Sequence, residues 1–129
     1  MDWQQLRERY MRDERPIRLG NLASTLGRVS TAASNPKTLT TVPPSLRESM
    51  LFIEWNLHEM PSEILIELAP MQSELGLWWK GWETAAQSPA LRTLLSRRAR
   101  EMSDRALELS GLLNSNSNSN SNSTDECSC

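Results

Sequence analysis

The sequence predicts an all-α fold, an antiparallel bundle of four to five amphipathic helices over residues 1–113 with a disordered C-terminal tail over 114–129. Three observations carry this. Apolar residues recur in steps of three and four along most of the first 113 positions, which is the period of helices that bury one stripe. Strand signals are scarce: the chain has one Tyr and one Phe, and no Asn-Gly or Asp-Gly hairpin turn. From Asn114 to Ser123 it reads NSNSNSNSNS, with no apolar side chain to offset the entropy of ordering.

Taken in order, Trp3, Leu6 and Tyr10 mark a first helix from about Asp2 to Asp13, with the Asp2 carboxylate placed to cap the free first-turn amides. Pro16 disfavours helical geometry at the residue before it, so a break or kink is expected at Arg15. The second helix covers residues 17–33. Its stripe is Leu19, Leu22, Leu26, Val29 and Ala33, spaced 3, 4, 3 and 4, and Arg18, Ser24 and Arg28 are expected to face water. Residues 34–43, SNPKTLTTVP, combine turn formers with β-branched residues and are expected to be the main internal loop.

A third helix is expected to start at Pro44-Ser45 and to carry Leu46, Met50, Ile53, Leu57 and Met60, with Phe52 beside them, until Pro61 ends it. Ser62 is placed to cap a fourth helix from Glu63 to about Ala86, with its stripe at Leu65, Leu68, Met71, Leu75, Trp78 and Trp82. Pro70 interrupts that pattern and removes the donor for the Ile66 carbonyl. Ser88-Pro89 opens a fifth helix, a hydroxyl cap followed by proline at a position that loses no hydrogen bond. Leu91, Leu95, Arg98, Met102, Leu109 and Leu113 map its inner edge, Ala99 and Ala106 offer low relief to a neighbour, and fraying is expected near Gly111.

Composition narrows the function classes. Fourteen basic and sixteen acidic residues give a net charge of -2, which argues against nucleic-acid binding on a dense basic face. The longest apolar runs are too short to span a bilayer, and the charged start MDWQQLRERY lacks a signal-peptide core, so a cytoplasmic location without membrane association is expected. Cys127 and Cys129 sit in the tail, where they cannot staple the core. The Cys-x-Cys ending resembles that of Rab-type GTPases, but the chain has no GxxxxGK[ST] phosphate loop, and an inert tail is the simpler reading.

Five tryptophans stand out in 129 residues. Trp78 and Trp82 share a helix face, whereas Trp79 is rotated by about 100°, so one face cannot bury all three. With Trp55 they form the expected binding region. Arg97, Arg98 and Arg100 make a basic cluster suited to an anion or acidic partner, near enough to Glu101, Asp104 and Glu108 to be neutralised. His58 stands alone beside Glu54 and Glu59; without a second His or a folded-region Cys, no metal site is expected, and no cofactor. Glu63 and Glu67 repeat at i, i+4 as a solvated face.

The stretch from Arg47 to Glu83 holds seven acids against Arg47 and Lys80, a charge of -5, between outer segments of +3 (residues 1–37) and +2 (88–113). Complementary helices packed side by side account for this layout.

The segments IRLGNLASTLGRVSTAAS (17–34), SMLFIEWNLHE (49–59), LGLWWKGW (75–82) and SDRALELSGLL (103–113) resemble a group of small, uncharacterised cyanobacterial proteins. That resemblance implies a cytoplasmic bacterial helical protein and carries no activity or site residue. The expected function is a non-enzymatic module that binds a protein partner or itself through the tryptophan region. The alternative is a carrier of a flat apolar ligand, such as a tetrapyrrole, against the same residues. An enzyme is not expected, since one His and no folded-domain Cys assemble no acid, base and nucleophile.

Overall fold

The chain is described by a computed structural model covering residues 2–127, with side chains through Leu113. Among the described residues there is no strand. The helices are α1 (Trp3–Arg12), α2 (Arg15–Ala33), a 3-10 segment (Pro36–Thr41), α3 (Val42–Asn56), α4 (Ser62–Lys80), α5 (Trp82–Ala86) and α6 (Pro89–Cys127). The Asn/Ser tail expected at 114–129 to be unordered, with Cys127 and Cys129, lies outside the described side chains.

Local chemistry sets most boundaries. Asp2 caps α1, its carboxylate accepting from the amides of Gln4 and Gln5 at 3.1 Å, and Ser88 caps α6 by accepting from Leu91 at 3.2 Å. The break between the first two helices falls at Asp13-Glu14. Arg15, expected to be the break, is the first residue of α2, because a proline in the first helical turn gives up an amide that has no partner there anyway. The expected loop at 34–43 is largely helical. Its 3-10 segment runs into α3, which starts at Val42 rather than Pro44 because Val42 is fully buried. Likewise α3 ends at Asn56, before Pro61, and α4 starts at Ser62, which is inside the helix and does not cap it. The single helix expected from Glu63 to Ala86 is divided at Gly81 into α4 and α5. Pro70 stays within α4; Ile66 and Pro70 are both exposed, so the carbonyl left without a helical donor faces solvent.

Four long helices form a ring of antiparallel neighbours, as the order of cross-links shows. Arg28–Glu48 joins α2 to α3, and Arg18–Glu59 joins the start of α2 to the turn that follows α3. The Gln72 amide donates to the Met50 carbonyl at 3.1 Å between α3 and α4, and Glu67–Arg105 and Glu74–Arg98 join α4 to α6. These four ion pairs connect the acidic middle of the chain to its basic flanks, as the charge layout predicts.

The α2–α6 interface is the most extensive in the molecule. On α6, Ser96, Ser103 and Ser110 recur every seven residues, and each hydroxyl donates to a carbonyl of α2: Ser30 at 2.8 Å, Ala23 at 2.7 Å and Pro16 at 2.7 Å. The Ser30 hydroxyl returns a 2.8 Å bond to the Ser96 carbonyl. The acceptors are also seven apart, in reverse order. Ala23, Gly27 and Ser30 on α2 face Ser96 and Ser103 on α6, with the fully buried Ala99 and Ala106 beside them, and this seam of small residues lets the two helices pack closely.

The core between the helices holds Leu19, Leu22, Leu26, Leu46, Ile53, Leu68, Leu75 and Leu95, all fully buried. Arg18, expected to face water, is also buried. Its guanidinium donates to the carbonyls of Asp13 and Met11 and to Glu59 Oε1 at 2.8 Å, tying the α1–α2 corner to the α3–α4 turn. Nearby, the Tyr10 hydroxyl donates to the Arg18 carbonyl at 3.0 Å and accepts from the Asn56 amide. The Tyr10 ring stacks on Phe52 with centroids 4.1 Å apart. Burial pushes this phenol well above its ordinary pKa, against the opposing effect of the Asn56 hydrogen bond.

Candidate functional site

The four tryptophans of the expected binding region do not form one surface. Trp55 is buried in the core, its ring tilted against Tyr10 and Phe52 at centroid distances of 5.9 and 5.8 Å. Trp82 is buried at the start of α5. Trp78 is half-buried and donates its indole N–H to Glu74 Oε2 at 3.3 Å. Trp79, the most open of the four at 40 % exposure, lies against α3, where the Arg47 guanidinium sits 5.4 Å from its ring centroid. Four clefts on the described surface are lined by other residues.

The strongest apolar exposure lies on the opposite side of the same helix. Ile66 is 75 % and Leu77 72 % exposed. At 100° per residue, Ile66, Pro70, Ser73 and Leu77 form a stripe about 180° from the buried Leu68 and Leu75. Trp79, two residues beyond Leu77, is about 160° away from that stripe. Thus α4 is apolar on two faces, one in the core and one outside. Residue spacing carried the signal: Ile66, Pro70 and Leu77, with the polar Ser73 between the last two, fall on one helical line in a second phase.

The two flanks of the stripe differ. On the side toward α6, Glu74 receives two bonds from Arg98, at 2.8 and 2.6 Å, and Glu67 receives two from Arg105, at 3.2 and 2.7 Å. Hydrogen bonds from Arg98 hold the Glu74 carboxyl below its ordinary range, against partial desolvation, and those from Arg105 do the same for Glu67. On the other side, by helical angle, fall Ala69, Gly76 and Lys80, with Gly76 beside Met50 of α3.

The basic cluster is divided. Arg98 is committed to Glu74 and Glu101. Arg97 and Arg100 are exposed on the far side of α6, where both line a cleft with Arg92 and Glu101. His58 is exposed in the turn after α3. Among the described residues, no three His, Cys, Asp or Glu side chains cluster in a way that could hold a metal ion, and no helix is long and apolar enough to cross a membrane. No protein-family model, no curated protein and no solved structure matches this chain.

Proposed function

We propose that this chain is a non-enzymatic interaction module whose α4 lays its outer stripe, Ile66, Pro70 and Leu77, against an amphipathic helix of a protein partner. The observation that carries the reading is the pair of large aliphatic side chains, 75 % and 72 % exposed, on a helix whose other face is core. A surface helix ordinarily has one apolar stripe, and exposed apolar surface rimmed by polar groups marks interaction sites. Ile66, Pro70 and Leu77 stand at i, i+4 and i+11 on one line of the helix, with the small Ser73 at i+7 between them, a spacing that suits helix-against-helix packing. Rows of ion pairs with α6 stiffen one rim, so the stripe is presented on a fixed helix and loses little entropy on binding.

The test uses the full chain as bait in an extract of its source cells, alongside a light-scattering concentration series for self-pairing. Each of the two aliphatic side chains contributes about 1–2 kcal/mol when buried, so an Ile66→Ser, Leu77→Ser double variant loses the partner while keeping its helical circular dichroism. Trp79→Ala, outside the stripe, keeps it. The reading is wrong if every interaction survives in the double variant, or if Trp79→Ala alone abolishes binding.

A further inference from the structure

On the side of the bundle away from the α4 stripe, a cleft of about 610 Å³ opens between α2, the 3-10 segment, the start of α3 and Arg100 of α6. It is lined by Arg28 and Arg100 and by the hydroxyl residues Ser24, Thr31, Thr38, Thr41 and Ser45; none of its lining residues is a carboxylate or an aromatic ring, and the nearest acid given for Arg28 is its ion-pair partner Glu48. That lining is unexpected in a chain with more acids than bases.

The two arginines line one cleft although they stand 72 positions apart in sequence. Arg100 is turned about 160° around α6 from Arg98, away from Glu74. It reaches α2 at Gly27, where its Nη1 lies 3.7 Å from the position a Cβ would occupy. Arg28 bonds Glu48 and Thr25, both at 2.9 Å and both through Nη2; a guanidinium carries five N–H donors. Its side chain is 59 % exposed. Planar forks of this kind match the oxygens of a phosphate, with charge-assisted hydrogen bonds about twice as strong as neutral ones.

We propose that this cleft binds a phosphate monoester of a hydroxylated, non-aromatic carbon skeleton. Arg28 and Arg100 hold the phosphate, and the hydroxyl-rich walls bond the skeleton. The hydroxyls of Thr31 and Thr38 now donate to the carbonyls of Gly27 and Ala32 at 3.1 Å, and rotate to meet the ligand. Without an aromatic side chain to stack on, a nucleobase gains nothing here.

The experiment is an amide NMR titration of the full chain at about 150 mM salt, where unpaired long-range attraction is screened, with glycerol 3-phosphate, inorganic phosphate and glycerol as probes. Glycerol 3-phosphate shifts the amides of Gly27, Thr31 and Thr38 saturably, inorganic phosphate shifts the same amides more weakly, and glycerol does not. Arg100→Gln weakens glycerol 3-phosphate about tenfold, the loss of one charge-assisted fork. Arg97→Gln, on the same helix but lining only the neighbouring cleft, and the α4 double variant leave it unchanged. The proposal is overturned by the absence of saturation with glycerol 3-phosphate. It is equally overturned by inorganic phosphate binding as tightly as the ester, or by Arg97→Gln weakening binding as much as Arg100→Gln.

Discussion

Replacing Ser103 by leucine tests the α2–α6 seam at its centre. The Ser103 hydroxyl is 2.7 Å from the Ala23 carbonyl and 3.6 Å from where a Gly27 Cβ would stand, and the residue is 7 % exposed. Ser103→Ala removes one hydrogen bond, about 1 kcal/mol. Alanine's better helix propensity returns about 0.5 kcal/mol, so the net cost is about 0.5 kcal/mol. Ser103→Leu loses the same bond and forces an extra three carbons between two backbones, an overpacking cost of about 2 kcal/mol, for a total of about 3 kcal/mol. At this chain length that lowers the melting temperature by about 10 °C. Gly27→Ala runs the other way: its Cβ meets Ser103 and Arg100 only at van der Waals distance, and alanine in place of a helical glycine stabilises by about 0.5–1 kcal/mol. Combined with Ser103→Leu, however, it competes for the same space, and the two effects do not add. Urea unfolding followed by circular dichroism measures the four variants against the parent. If Ser103→Leu is as stable as Ser103→Ala, the backbones are not held closely there and the account of the seam is wrong.

The buried Tyr10 phenol and the Glu74 carboxyl predict opposite pH dependences. With its folded pKa raised, Tyr10 contributes stability that is whole below about pH 10, the unfolded value, and is lost as pH rises beyond it. The parent therefore loses more of its urea midpoint between pH 9 and 11 than Tyr10→Phe, which at neutral pH is weaker by about 1–2 kcal/mol from the lost bonds to Arg18 and Asn56. Glu74 has a lowered folded pKa, so its contribution is present above about pH 4.5 and fades as pH falls below. Glu74→Gln flattens that acid limb and costs about 0.5–1 kcal/mol at neutral pH for a partly exposed pair; a parent and variant with identical acid limbs would contradict the assignment.

Helix identity was legible because apolar period alone decides which segments bury a stripe, and the Asp2 and Ser88 caps were legible because capping is local. What escaped the sequence reading depended on tertiary neighbours. Val42 is drawn into α3 by burial, Arg18 is buried because Glu59 and two carbonyls converge on it from distant parts of the chain, and Gly81 divides a helix whose stripe runs on unbroken from Trp78 to Trp82. The tryptophans attracted attention by rarity, yet Trp55 and Trp82 serve packing. Ile66 and Leu77, in plain view as a second phase of the same period, were masked by the stronger stripe beside them. Arg28 and Arg100 could not be paired from sequence, since only the α2–α6 docking brings them to one cleft.

That docking also restricts how the chain can change length. Adding a single residue to α6 between Ser96 and Ser103 turns everything beyond it by about 100°, swinging Ser103 and Ser110 off their acceptors and the Arg105 fork off Glu67. Only insertions close to a whole number of turns, such as a heptad, matched on α2, restore the phase. Length changes that keep these bonds are therefore confined to the turns and ends, while the paired rods are ruled like a vernier scale, fixed in whole turns.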